Sequence, residues 1–213
     1  LAMSFSCIRS FISWSTPLNE TLLASRNVRV ASLEMKPSKC LRTSAIASGS
    51  PVEAAAMVLQ RTRNVRFVMA GSGDMMDQMI RLVAERGIAD RFHFPGFMKG
   101  KQVYEVLKAS DVYIMPSVSE PFGISPLEAM QCSVPSIISK QSGCAEILDK
   151  CIKTDYWDIH AMADAIYSIC TYPAMYEYLK EEGKKEVDEI KWENVGYKVR
   201  GIYDEVIKNY GKQ

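Results

Sequence analysis

At 213 residues the chain has room for one domain of ordinary size, or one and a half small ones. Its 47% apolar and 24% charged residues are the balance of a soluble globular protein, and a formal net charge of +1 argues against a dedicated nucleic-acid binder. No apolar run reaches the ~18 residues of a transmembrane helix. Six Cys without a Cys-x-x-Cys pair, alongside two His, argue against zinc and for free thiols in a reducing, cytoplasmic compartment.

In chain order, the first 50 residues hold eleven Ser, six Lys or Arg and two Glu. Their apolar positions keep neither a helical nor a strand period for long. Arg9 and several Ser interrupt the opening apolar stretch, which makes it a poor secretory signal. Asn19-Glu20-Thr21 fits a glycosylation acceptor of a kind common by chance. Residues 1–51 read as an aperiodic lead, disordered or not native. From Val52 the texture changes: 52–62 has a short helix pattern, and VRFVMA (65–70) is an apolar run of strand length. Gly71-Ser72-Gly73 breaks it. Asp74 can cap a helix with Met76, Met79, Ile80 and Val83 on one face, and Gly87 stops that helix. Residues 91–94 form a short strand closed by Pro95-Gly96, and Val103, Val106 and Leu107 mark another helix. A third strand spans 111–116, then a long loop, a helix at 125–131, a fourth strand at 134–139 and a short helix at 143–148. Ile159, Met162, Ala163, Ile166, Ile169 and Cys170 line one face of a longer helix, and helices follow at about 174–189 and 192–208. Residues 209–213 are a tail. Alternating strands and helices imply an α/β, doubly wound parallel sheet with C-terminal helices. Ligands in such sheets sit beyond the carboxyl ends of the strands, which directs attention to 71–74, 95–100, 116–125 and 139–143.

The most informative stretch is Ser119 to Met130, SEPFGISPLEAM. Ser125 suits a helix N-cap, Pro126 the first helical position, and Glu128 lies three residues after the cap, as in a capping box. The amides around Gly123, Ile124 and Ser125 then leave a helix N-terminus, where phosphate binds readily, and Gly123 allows close approach of a ligand. Glu120 and Glu128 flank that site. Carboxylates accept hydrogen bonds from hydroxyls, so a ligand carrying both phosphates and sugar hydroxyls fits. The other reading of the same residues is a capping box alone, with Glu120 facing solvent. His93, Cys132, Cys144, Cys151 and Cys170 read as structural, and His160 as exposed.

These motifs, with VPSIIS and SGCAEIL after them, resemble the donor-binding half of retaining glycosyltransferases of the GT-B fold, the large family that includes sucrose and glycogen synthases. Glu120 and Glu128 have the family's spacing, with Phe122-Gly123 between them. In the family's Gly-Gly-x-x-Glu motif, Cys144 replaces the second Gly while Gly143 and Glu146 remain. VRFVMAGSGD, RFHFPGFM and KWENVGYKVRGIYDEVI resemble further family segments, and the likeness covers about 52–208, taken as one Rossmann-like domain. The resemblance implies that Glu128 holds the ribose hydroxyls of a nucleotide and that Glu120 meets the donor sugar near the reacting carbon. It implies that the amides of Phe122, Gly123, Ile124 and Ser125 meet sugar hydroxyls and diphosphate. It implies that Gly96 and Met98 contact the base, while Gly71 and Gly73 leave room for the nucleotide. The donor would be a nucleoside-diphosphate sugar, the acceptor a glycan or other hydroxyl compound, with no cofactor and no metal.

Two departures stand out. The family's amino-terminal half, which holds the acceptor, has no counterpart in a 50-residue aperiodic lead. The family's Gly-Arg and Lys-Gly, which bind the diphosphate after its first strand, are also missing: Arg42 has no Gly before it, and Lys36 and Lys39 lie on the wrong side. A chain without that strand would expose a sheet edge and would be inactive alone. The alternative is a non-catalytic α/β module that binds a nucleotide or a partner.

Overall fold

The structure, a computed structural model, describes residues 28–32, 45–73 and 75–210. The strands are β1 (Val28–Ser32), β2 (Val65–Ala70), β3 (Phe92–Gly96), β4 (Val112–Met115), β5 (Ser136–Ser139) and β6 (Ile152–Thr154). The helices are α1 (Ala45–Arg61), α2 (Met76–Glu85), α3 (Lys101–Lys108), α4 (Ser125–Gln131), α5 (Ile159–Thr171), α6 (Pro173–Glu189) and α7 (Trp192–Tyr210). Short 3-10 turns cover Ala89–Arg91 and Gly143–Glu146. The strands form one sheet in the order β3-β2-β1-β4-β5-β6, parallel throughout.

The sheet is covered on both faces, and the strands alternate accordingly. Val112, Ile114 and Ile137 join the core under α1, α2 and α5, with Val58, Met79, Met162 and Ile166. Tyr113, Met115 and Ile138 join the core under α3 and α4, with Leu107, Ala129, Met130 and Leu148. Helix α6 closes the end of the domain, with Leu179 in the first core and Val187 in the second. A fork of Arg86 on Glu53 ties α1 to the end of α2: Nε stands 2.9 Å from Oε2.

The expectation of a missing first strand is overturned. Val28–Ser32 forms β1 at the centre of the sheet, pairing Val30 with Phe67 on one side and with Val112 on the other. Val30 is 1% exposed. Helix α1 likewise starts at Ala45, seven residues ahead of Val52, and Pro51 lies inside it. No edge is left open at the position where the strand was thought absent. Lys36, Lys39 and Arg42 fall between β1 and α1 in sequence, with both Lys before Arg42 as expected; like Asp74, Asn19 and residues 211–213, they lie outside the described residues.

Strand β6 was not expected, and α7 runs two residues beyond the expected 208. Pro95-Gly96 lies within β3 rather than closing it, which an edge strand tolerates. Gly87 does end α2: at φ +66 its N–H donates to Ala84 O and the next amide reaches Val83 O, closing a Schellman turn. Among the described residues no helix is long and apolar enough to cross a membrane.

Candidate functional site

Parallel strands deliver their following loops to one edge of the sheet. The strand order turns at the β1–β4 boundary, and there the loops on either side run in opposite directions and leave a crevice. The connection 116–124, after β4, stands on that crevice. The loop after β2 lies two strands away and is tied to the end of β3, with Gly71 N–H donating to Gly96 O at 2.9 Å. Gly71, Gly73 and Gly96 are half-buried there, and Gly71 (φ +140) and Gly96 (φ +78) hold backbones that L side chains rarely adopt. A Cβ on Gly96 would meet no atom within 4 Å, so the space in front of it is open.

Met98 is half-buried and packs its side chain on Val68 and Val106, which leaves its backbone as the part available to a ligand. Phe97 beside it is 60% exposed, with Lys99 Nζ 5.3 Å from its ring centroid. Phe97 is not among the residues expected at the site. An aromatic directly after a strand that ends in Gly was the available signal.

In the 116–124 connection Gly123 is buried at φ +85, packed so closely that a Cβ would stand 2.9 Å from the terminal methyl of Met115. Phe122 and Ile124 on either side project outward, 41% and 66% exposed. Among the described residues the amides of Phe122, Gly123 and Ile124 donate to no group. They form a short row of unpaired donors among the described residues.

The capping box is not formed. Helix α4 begins at Ser125, so the residue at the N-cap is Ile124, whose side chain caps nothing. Glu128 N–H donates to Ile124 O as an ordinary helical bond at 3.1 Å. Pro126 does occupy the first turn, where its missing N–H costs nothing. With seven residues α4 is also too short for much of a dipole, so the open amides rather than the helix as a whole make the locality electropositive. The loss of the box releases Glu128. Glu120 and Glu128 are both half-buried, and among the described residues neither carboxylate accepts a hydrogen bond. A carboxylate that accepts nothing from the chain is available to the hydroxyls of a ligand.

The segment after β5 packs against this loop. Counting back from Glu146, the Gly-Gly-x-x-Glu spacing falls on Ser142-Gly143, so Ser142 stands in the place of the first glycine. Cys144 is a wholly buried core residue instead. Glu146 is exposed. Half-buried His93 has its pKa lowered by desolvation, and His160 is exposed on the first turn of α5. Among the described residues no three His, Cys, Asp or Glu side chains gather as metal ligands.

Residues 51–186 match the family described as "Glycosyl transferases group 1". The chain is 30% identical over 166 residues to an uncharacterised glycosyltransferase of Methanocaldococcus jannaschii, covering 76% of this chain and 42% of that protein. It superposes on Anabaena HepE, solved in complex with UDP and glucose, with a TM-score of 0.70 at 16% identity, over 95% of this chain and 53% of that one. It also superposes on the C-terminal domain of a group 1 glycosyltransferase (LpcC) of Francisella tularensis, with a TM-score of 0.65 at 19% identity, over 76% of this chain and 85% of that domain. The chain thus spans about half the length of the full-length proteins it matches.

Proposed function

The chain belongs to the group 1 glycosyl transferases, and from that premise we propose that it is the nucleotide-sugar-binding half of a retaining glycosyltransferase. The observation that carries this reading is the pair of half-buried side chains, Glu120 and Glu128, whose carboxylates accept no hydrogen bond among the described residues, on either side in sequence of the unpaired amides of Phe122, Gly123 and Ile124. Acceptors for hydroxyls and donors for phosphate meet there, at the crevice where the strand order turns.

Glu128 accepts the ribose hydroxyls of the donor. Glu120 accepts hydroxyls of the sugar near the reacting carbon. The amides from Phe122 to Ser125 face sugar and diphosphate, and Gly71, Gly73, Gly96 and Met98 shape the space for the nucleotide. The bond from the anomeric carbon to the diphosphate breaks as the acceptor oxygen bonds that carbon, the hydroxyl proton passing to the departing diphosphate oxygen, with the configuration kept. Negative charge grows on the departing diphosphate, and fixed N–H dipoles that need not reorganise lower the energy of that state. HepE, with UDP and glucose bound in the same fold, supports a uridine nucleotide as the first donor to test.

The acceptor, a glycan or another hydroxyl compound, meets the donor on a second half that proteins of this family carry, and the isolated chain does not position it. The chain alone is therefore inactive in transfer. Calorimetric titration with UDP, ADP, GDP and UDP-glucose tests the binding claim. The expected result is saturable binding of one nucleotide, weakened roughly 10- to 100-fold by Glu128→Ala. Glu120→Ala should spare the nucleotide and weaken only the nucleotide sugar. A folded chain that binds none of them is instead a non-catalytic α/β module for a protein partner.

A further inference from the structure

The loop that presents Glu120 does not hold its own shape. Residues 116–124 contain no helix or strand, and the carbonyls of Ser117, Glu120 and Phe122 are bonded by residues 139–144. Ser139 Oγ donates to Ser117 O at 2.6 Å. Gly143 N–H donates to Glu120 O at 2.9 Å, and Cys144 N–H to Phe122 O at 2.7 Å. Glu120 and Ser142 also pair as a single parallel bridge.

The donor segment is itself anchored. Ser139 is 1% exposed, and its Oγ also accepts from Gln141 N–H at 3.2 Å. Ser142 Oγ donates to Ser139 O. Gln141 Nε2 donates to Asp155 Oδ1 at 2.9 Å, which fastens the segment to the residue after β6. Contact between the two segments depends on the absence of a side chain at Gly143. A Cβ there would stand 2.0 Å from Pro121 O and 2.9 Å from its carbonyl carbon. Those are backbone atoms, which cannot rotate away as a side chain would.

We propose that Gly143 and Ser139 are positioning residues for Glu120. The 139–144 segment is a template whose hydrogen bonds set the path of 117–122 and so the direction in which Glu120 is presented. Glu128 is set separately: it rides on α4, which Ala129 and Met130 seat in the core beneath it. The two carboxylates thus answer to different supports. The proposal rests on the reading that Glu120 meets the sugar and Glu128 the nucleotide.

The test uses the full chain with Gly143→Ala and, as the variant that adds no bulk, Ser139→Ala. Amide hydrogen exchange is read first, without ligand. Exchange at Cys144 should rise about tenfold or more in Gly143→Ala while β4 and β5 keep their protection, and Ser139→Ala should move it in the same direction by a smaller factor. UDP and UDP-glucose are then titrated separately. UDP should lose a few-fold at most, through the Phe122 amide, while UDP-glucose, which also meets Glu120, should lose about tenfold more. Unchanged exchange at Cys144 in both variants overturns the proposal, and so does an equal loss for both ligands. A parent that binds neither ligand removes the nucleotide-sugar reading, and the exchange data then decide alone whether 139–144 holds the Glu120 loop.

Discussion

Burial sets how the cysteines react. Cys151 is 9% exposed, and Cys170 packs against the core under α5. Desolvation is the main cause that pushes both thiols up to about 12. Only the thiolate attacks an alkylating reagent, so at pH 8 iodoacetamide should leave both unmodified until urea unfolds the chain. Peptide mass mapping checks this, and prompt labelling of either would contradict it. Ser133 gives a second test at this scale. It stands at φ +61 just past α4, its N–H donates to Met130 O, and the next amide reaches Ala129 O. That is the Schellman closure found at Gly87, made here by a residue with a Cβ. Ser133→Gly should raise stability by about 0.5 kcal/mol, the relief of left-handed strain less the extra freedom of glycine when unfolded. A lower urea midpoint for the variant would count against it.

At the scale of elements, β1 carries the sharpest prediction. Val30 is buried between Phe67 and Val112 at the centre of the sheet. Val30→Asp should unfold the domain, since an unpaired charge there costs several kcal/mol. Circular dichroism of the variant tests this, and a native spectrum with an unchanged melting temperature would show β1 to be dispensable. The strand also marks where the sequence stops being legible. VRFVMA, VYIM and SIIS are short runs in which every residue but Arg66 is buried, and each reads as a strand from its own residues and its apolar neighbours. VRVAS is short and sits among Ser and Arg, and IKT shows only three residues. Both are strands because neighbours far away in sequence supply the pairing, which no local pattern reports. The site divides in the same way. Glu120, Phe122, Gly123 and Glu128 are legible because they share one short motif. The segment 139–144 that holds the Glu120 loop acts through hydrogen bonds to backbone about twenty positions earlier, and only Gly143 hints at it. The capping box failed for a local reason: one further helical residue at Ile124 moves Ser125 inside the helix.

At the scale of the molecule, α7 stands apart. None of its residues is buried, and Trp192, Tyr197, Ile202, Tyr203, Ile207 and Tyr210 are each more than 60% exposed. A helix that buries nothing adds little to the stability of the domain. Ending the chain after Ile190 should therefore leave the melting temperature within about 2 °C, whereas removing α5, with Met162, Ala163 and Ile166 in the core, should abolish folding. A large drop on losing α7 alone would show that it packs on the domain in solution.

The central claim is that a nucleotide sugar binds along the carboxyl edge of the sheet, at the loops after β2, β3 and β4. The most direct measurement is an amide chemical-shift titration of the intact chain with UDP-glucose. The largest shifts should fall at Gly71, Gly96, Phe122, Gly123, Ile124 and Glu128, with α6 and α7 silent. Saturable shifts clustered on another face, or none at millimolar ligand in a folded chain, would contradict it.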